Sequence, residues 1–130
     1  MDNLIGLKVY VYFNLNKHVW SIKALEGERK NRVVGYADSI ELIYCNLKVS
    51  EKGRQRVLKQ KQKNVHAGVV GYIKSINQHN NYSAPQRISY NPYKTGHFYL
   101  VGSDQPCAES YSRLIFTGHK PESLSPVFIA

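Results

Sequence analysis

From Leu7 to Phe13 the chain alternates without a break: Leu7, Val9, Val11 and Phe13 are apolar, while Lys8, Tyr10 and Tyr12 carry polar atoms. Successive side chains of a pleated strand point to opposite sides, so this stretch predicts a β-strand with one buried face. Asn14-Leu15-Asn16-Lys17 has turn chemistry, and His18 to Lys23 returns as a second strand that sends Trp20 and Ile22 inward. After the charged loop Glu26 to Asn31, the segments Arg32–Ala37 and Ser39–Val49 read as two further strands. The alternation of the second slips by one residue near Asn46, which predicts a bulge there. Val65, Ala67, Val69, Gly71 and Ile73 share one face of another strand, where Gly68 and Gly71 suggest a bend or a close backbone approach.

The rest of the chain is punctuated more heavily. Residues 75–87 are polar and predict a loop. Residues 88–116 offer short strands separated by Pro92, Gly96, Gly102 and Pro106, and 118–130, with Pro121 and Pro126, predict an extended tail. A weak internal similarity links 7–49 to 88–116. Phe13-Asn14-x-x-Lys17, His18-x-Trp20-x-Ile22 and Ala37-Asp38-Ser39 return in order as Tyr90-Asn91-x-x-Lys94, His97-x-Tyr99-x-Val101 and Ala108-Glu109-Ser110. The expectation is therefore a strand-rich α+β protein forming one domain over 1–130. Two repeat-like antiparallel units would form a small barrel or sandwich, with one short basic helix between them.

Composition narrows the class. At 130 residues a single core suffices, and 42% hydrophobic with 12% aromatic residues is too apolar for wholesale disorder. No run of about 20 apolar residues offers a membrane-spanning helix. The first residues lack a basic segment leading into an apolar one, so the expected location is the cytoplasm. Cys45 and Cys107 form no CxxC pair, and neither a metal centre nor a cofactor motif is expected.

The charge is concentrated. Between Lys48 and Lys74 eight basic residues face the single Glu51, a net +7 of the chain's +9. Within this window, residues 50–63 predict a helix: Ser50 caps it, Glu51 suits its positive end and the late lysines its negative end. Lys52, Arg56, Lys59 and Lys63 then form a stripe at i, i+4, i+7 and i+11, with Val57 and Leu58 anchoring the other side. An uncompensated stripe of cations attracts polyanions through counterion release. The expected nucleic-acid-binding residues are Lys52, Arg54, Arg56, Lys59, Lys61, Lys63 and Lys74, with RNA, DNA or an acidic protein or nucleoprotein complex as partner. A solvated helix that only confers solubility is the plainer reading. Tyr10, Tyr12 and Tyr72, on the polar faces of their strands, are expected to cover a second layer of core. The alternative is that they stack single-stranded bases beside neighbouring cations.

One reaction class fits the remaining side chains. A metal-independent endoribonuclease needs a base, an acid and cations for the developing phosphorane charge. His66 is the candidate base, and Tyr93 and Lys94 the candidate acid and charge stabiliser.

The segments Gly53-Arg54-Gln55-Arg56-Val57-Leu58, Lys63-Asn64-Val65-His66-Ala67 and Tyr90-Asn91-Pro92-Tyr93-Lys94 carry a resemblance. In this order and spacing they resemble a family of small uncharacterised proteins encoded by bacteriophages and prophages, over Val9 to about Ala108. The family has no known activity, so the resemblance implies a setting and no site residue: a phage accessory protein acting on host machinery, or on a defence complex as an anti-CRISPR-type inhibitor would. The expectation is a non-enzymatic binder, with the endoribonuclease and a structural virion or assembly protein as alternatives.

Overall fold

The computed structural model describes residues 4–14, 17, 19–61, 65–77, 87–103, 105–116 and 127–129. Among these residues, nine strands and one helix follow in the order β1 Lys8–Asn14, β2 Val19–Ala24, β3 Val33–Ala37, β4 Ile40–Val49, α1 Glu51–Gln60, β5 Ala67–Ile76, β6 Arg87–Ser89, β7 Tyr99–Leu100, β8 Ser110–Phe116 and β9 Val127–Ile129. They form one antiparallel sheet ordered β3-β2-β1-β5-β4-β8-β9-β6-β7. Its first six strands are five to ten residues long, and the last three, of two or three residues, extend one edge.

The alternation of β1 fixes which face is buried. Val9, Val11 and Phe13 pair with Ala24, Ile22 and Trp20 of β2, and all six are buried. Trp20 meets Phe13 at 5.2 Å between ring centroids and Phe116 of β8 at 5.0 Å, both edge to face. Strands lie about 4.8 Å apart, so four strand steps in a flat sheet would separate β2 from β8 by roughly 19 Å. The ring contact therefore requires the sheet to curl. Val69, Ile73, Leu42 and Leu114 fill the inside of the curl, joined by Ile88, Tyr90 and Phe98 from the region around β6 and β7. Curling does not become closure, because β3 and β7 remain the two ends of the strand order.

Several expectations appear in altered form. The bulge lies in β4 between Ile43 and Asn46, where the ladder to β5 shifts register and Tyr44 adopts φ +53°. The helix is capped as expected, the Ser50 hydroxyl accepting from the Gly53 amide at 3.2 Å, but it ends at Gln60. Lys61 stops it in a left-handed conformation, φ +53°, its amide returning to the Val57 carbonyl. The expected loop over 75–87 begins later, since β5 runs through Ile76, and residues 78–86 lie outside the described part of the chain. The end of the tail is a strand: β9 inserts between β8 and β6.

One sheet replaces the two expected units. Asn14 and Asn91 do both turn the chain with their side chains, accepting from the amides of Lys17 and Tyr93, each at 2.9 Å. The pairing around them differs, however. β1 and β2 zip over six positions and β6 and β7 over two, while β3 pairs with β2 but β8 pairs with β4. No repeat is visible in this topology.

Candidate functional site

Because the apolar set turns inward, the alternate residues of the same strands stand on the outside of the curl. There Tyr10 lies opposite Lys23 of β2 and Val70 of β5, and Tyr12 opposite Ser21. Lys48 of β4 lies opposite Gly68 of β5. Gly68 is what lets these side chains meet. A Cβ on it would come within 2.6 Å of both Tyr10 Cζ and the Val11 carbonyl oxygen, so the Tyr10 ring rests directly on the bare backbone of β5. The ring bridges from Lys23 toward Lys48, with the Tyr12 ring 5.8 Å away.

Beyond β4 the chain turns into α1, and the segment before β5 packs back on its first turn. Gly53 makes this possible, since a Cβ there would lie 2.5 Å from His66 Cβ. The result is an open pocket of about 470 Å³ lined by Tyr10, Tyr12, Lys23, Lys48, Val49, Ser50, Val65 and His66. Burial, with Tyr12 alongside, pushes the Tyr10 phenol up to about 12, so at neutral pH it is an uncharged hydrogen-bond donor and cannot serve as a base.

His66 is buried, and its Nε2 lies 2.6 Å from the Tyr90 hydroxyl. Burial holds that phenol near 12 as well. The imidazole thus joins the pocket wall to the core through Tyr90, whose ring packs against Phe98 at a tilt. Tyr93 and Lys94, expected as its catalytic partners, do not line the pocket. Tyr93 is exposed, and the Lys94 ammonium sits over the Tyr99 ring at 4.7 Å.

The expected binding cations divide. Lys52, Arg56 and Lys59 are exposed on α1, and Lys61 caps it. Arg54 is a tie, donating from Nε to the Pro92 carbonyl at 3.0 Å and from Nη1 to Glu51 at 3.3 Å. With Gln55 also donating to Glu51, that carboxyl titrates below its ordinary value. Lys74 is exposed on β5, and Lys63 lies outside the described residues. Among the described residues no carboxylate pairs with Lys23, Lys48, Lys52, Arg56 or Lys59; the ion pairs that form are Arg54–Glu51 and Arg113–Glu41. No group of three or more His, Cys, Asp or Glu that could hold a metal occurs among them, and no helix is long and apolar enough to cross a membrane.

Tyr10, Tyr12 and Tyr72 therefore do not cover a second core layer: they are half-buried on the outer face and lie outside the hydrophobic core. The reason is topological. Among the described residues all nine strands belong to one sheet, and its curl encloses the hydrophobic core on one face. Sequence reasoning missed Lys23, which lies outside the basic window. Its signal was its position directly across the Asn14 turn from Tyr10.

No solved structure matches the chain. The gene 82 protein of Mycobacterium phage L5 is 32% identical over 111 residues, covering 77% of this chain and 82% of that protein. The family model described as Mycobacterium phage L5 gene 82 protein matches residues 3–121. With nearly the whole chain matched, it belongs to the phage L5 gene 82 protein family, a phage protein family with no known activity.

Proposed function

We propose that this phage protein is a non-enzymatic accessory factor that binds nucleic acid, free or within a host nucleoprotein complex, through its basic surface. The observation that carries the reading is the pocket in which the rings of Tyr10 and Tyr12 lie with Lys23 and Lys48 and, among the described residues, no neutralising carboxylate. Aromatic faces beside free cations suit a ligand that offers both bases and phosphates. Lys52, Arg56 and Lys59 begin two residues beyond the pocket's Ser50 and provide further cations for a backbone leaving it. Binding in place of catalysis is supported by His66, whose Nε2 is taken up by Tyr90.

The test is fluorescence anisotropy of labelled RNA and DNA oligonucleotides at low salt, with the parent, Lys23→Gln/Lys48→Gln and the control Lys30→Gln. Two lost phosphate contacts should weaken binding about five- to thirtyfold. The control, an exposed loop lysine, should leave it unchanged. Absence of binding by the parent, or a double variant that binds as the parent does, would overturn the reading.

A further inference from the structure

The outer face carries more tyrosine than the pocket uses. Tyr36 of β3 lies opposite Ser21, which in turn lies opposite Tyr12, so the three share this face. Tyr72 of β5 lies opposite Lys8 of β1 and joins the same face from the other side of Tyr10. Tyr44 of β4 completes the set, its ring 6.4 Å from that of Tyr72 and nearly perpendicular to it. Five tyrosines thus cross the outer face from β3 to β4, and cations stand among them: the Lys17 ammonium lies 4.2 Å over the Tyr36 ring, Lys23 opposes Tyr10 and Lys8 opposes Tyr72.

Tyr44 is the informative member. It sits at the bulge of β4 with φ +53°, a left-handed conformation that suits glycine and is an outlier for a bulky side chain. It is also 71% exposed, so no burial compensates the strain. Asn31 and Asn77 adopt the same region, but asparagine tolerates it, and Asn77 there accepts from the amides of Asp38 and Ser39. At Tyr44 the bulge turns a large ring outward beside Tyr72, as bulges do where a side chain must be re-aimed.

We infer that this tyrosine band is a base-stacking platform, which makes the ligand single-stranded nucleic acid whose unpaired bases lie across β3 to β4 while the lysines follow its phosphates. The inference rests on the nucleic-acid reading and narrows it. Duplex bases are already stacked on each other and offer the rings nothing, whereas every unpaired base has a face to give.

The experiment compares a labelled single strand of about 12 nucleotides with the duplex of the same sequence, a length within the range that small single-strand-binding domains cover. Parent, Tyr44→Gly, Tyr44→Phe and Tyr36→Ala are measured with both, alongside thermal melts. Tyr44→Gly relieves the left-handed strain, so it should melt at or above the parent's temperature while losing about five- to 150-fold in single-strand affinity, the effect of one lost base stack. Tyr44→Phe should keep that affinity, Tyr36→Ala should lose it similarly, and duplex binding should change less than about twofold in all three. If single strand and duplex bind alike, and the tyrosine variants match the parent while Lys23→Gln/Lys48→Gln weakens both, the platform is refuted and the nucleic-acid reading survives. If the lysine variant also binds as the parent does, both fall. Should Tyr44→Gly not fold, loss or retention in Tyr36→Ala decides between the same outcomes.

Discussion

Replacing Gly68 by alanine sets two effects against each other. A glycine inside a strand is entropically costly, and alanine would ordinarily recover about 0.5–1 kcal/mol. Here the added methyl would meet the Val11 carbonyl oxygen and Tyr10 Cζ, each at 2.6 Å, and Tyr10 Cε1 at 2.8 Å. The oxygen belongs to backbone, so β1 and β5 must separate or the ring must leave its seat. Overpacking of this kind costs about 1–3 kcal/mol, which leaves a net loss of about 0–2.5 kcal/mol. Two other glycines grade the effect. At Gly71 the nearest atoms are the Ile43 carbonyl oxygen and Leu42 Cβ at 3.1 Å, and at Gly35 the Leu4 side chain at 3.5 Å, an ordinary contact. The three alanine variants should therefore lose stability in the order Gly68, Gly71, Gly35, with the last neutral or slightly stabilised. Urea unfolding followed by the fluorescence of Trp20, the one tryptophan and fully buried, reads the series directly. A Gly68→Ala protein no less stable than Gly35→Ala would refute the claim that the Tyr10 ring is seated on bare β5 backbone.

Three further outcomes follow from the same geometry. Asn14→Ala and Asn91→Ala should each cost about 1 kcal/mol in thermal melts, because each removes a side-chain acceptor from a turn amide, and Asn14 also donates to Ser21. Tyr10 and Tyr90 titrate near 12 when folded and near 10 when unfolded, so the folded chain holds protons that the unfolded chain releases. The stability these two phenols contribute should be level below about pH 10 and fall as pH rises toward 12, and Tyr10→Phe or Tyr90→Phe should each remove part of the latest phenolate absorbance. Incubation of the purified protein with mixed RNA in EDTA should yield no 2′,3′-cyclic phosphate ends beyond the His66→Ala control; cleavage lost in that variant would install His66 as a general base.

Local pattern was the legible part of this chain. Strand β1 follows from its alternation, the Ser50 cap from one hydroxyl ahead of an acidic first turn, and the bulge from a one-residue slip in β4. What stayed hidden depends on long-range pairing. Tyr10 meets Gly68, and Lys23 shares a pocket with Lys48 and His66, only because β5 crosses back to lie between β1 and β4. Nothing in either segment alone announces that neighbour. The end of α1 was hidden for another reason: Lys61 adopts a left-handed cap that sequence associates with glycine or asparagine. The strand at 127–129 was masked by the prolines before it, although Val127-Phe128-Ile129 is itself strand-like.

In the proposed complex, cations on the outer face and on α1 neutralise the phosphates of a single strand. The direct measurement is the dissociation constant of a labelled single-stranded oligonucleotide at several salt concentrations. If Lys23, Lys48, Lys52, Arg56 and Lys59 supply four to five phosphate contacts, log K should fall against log salt with a slope of about −3, each contact contributing about −0.7. Lys23→Gln/Lys48→Gln should flatten the slope to about −2. A slope near zero in the parent, or the same slope in the double variant, would contradict the account.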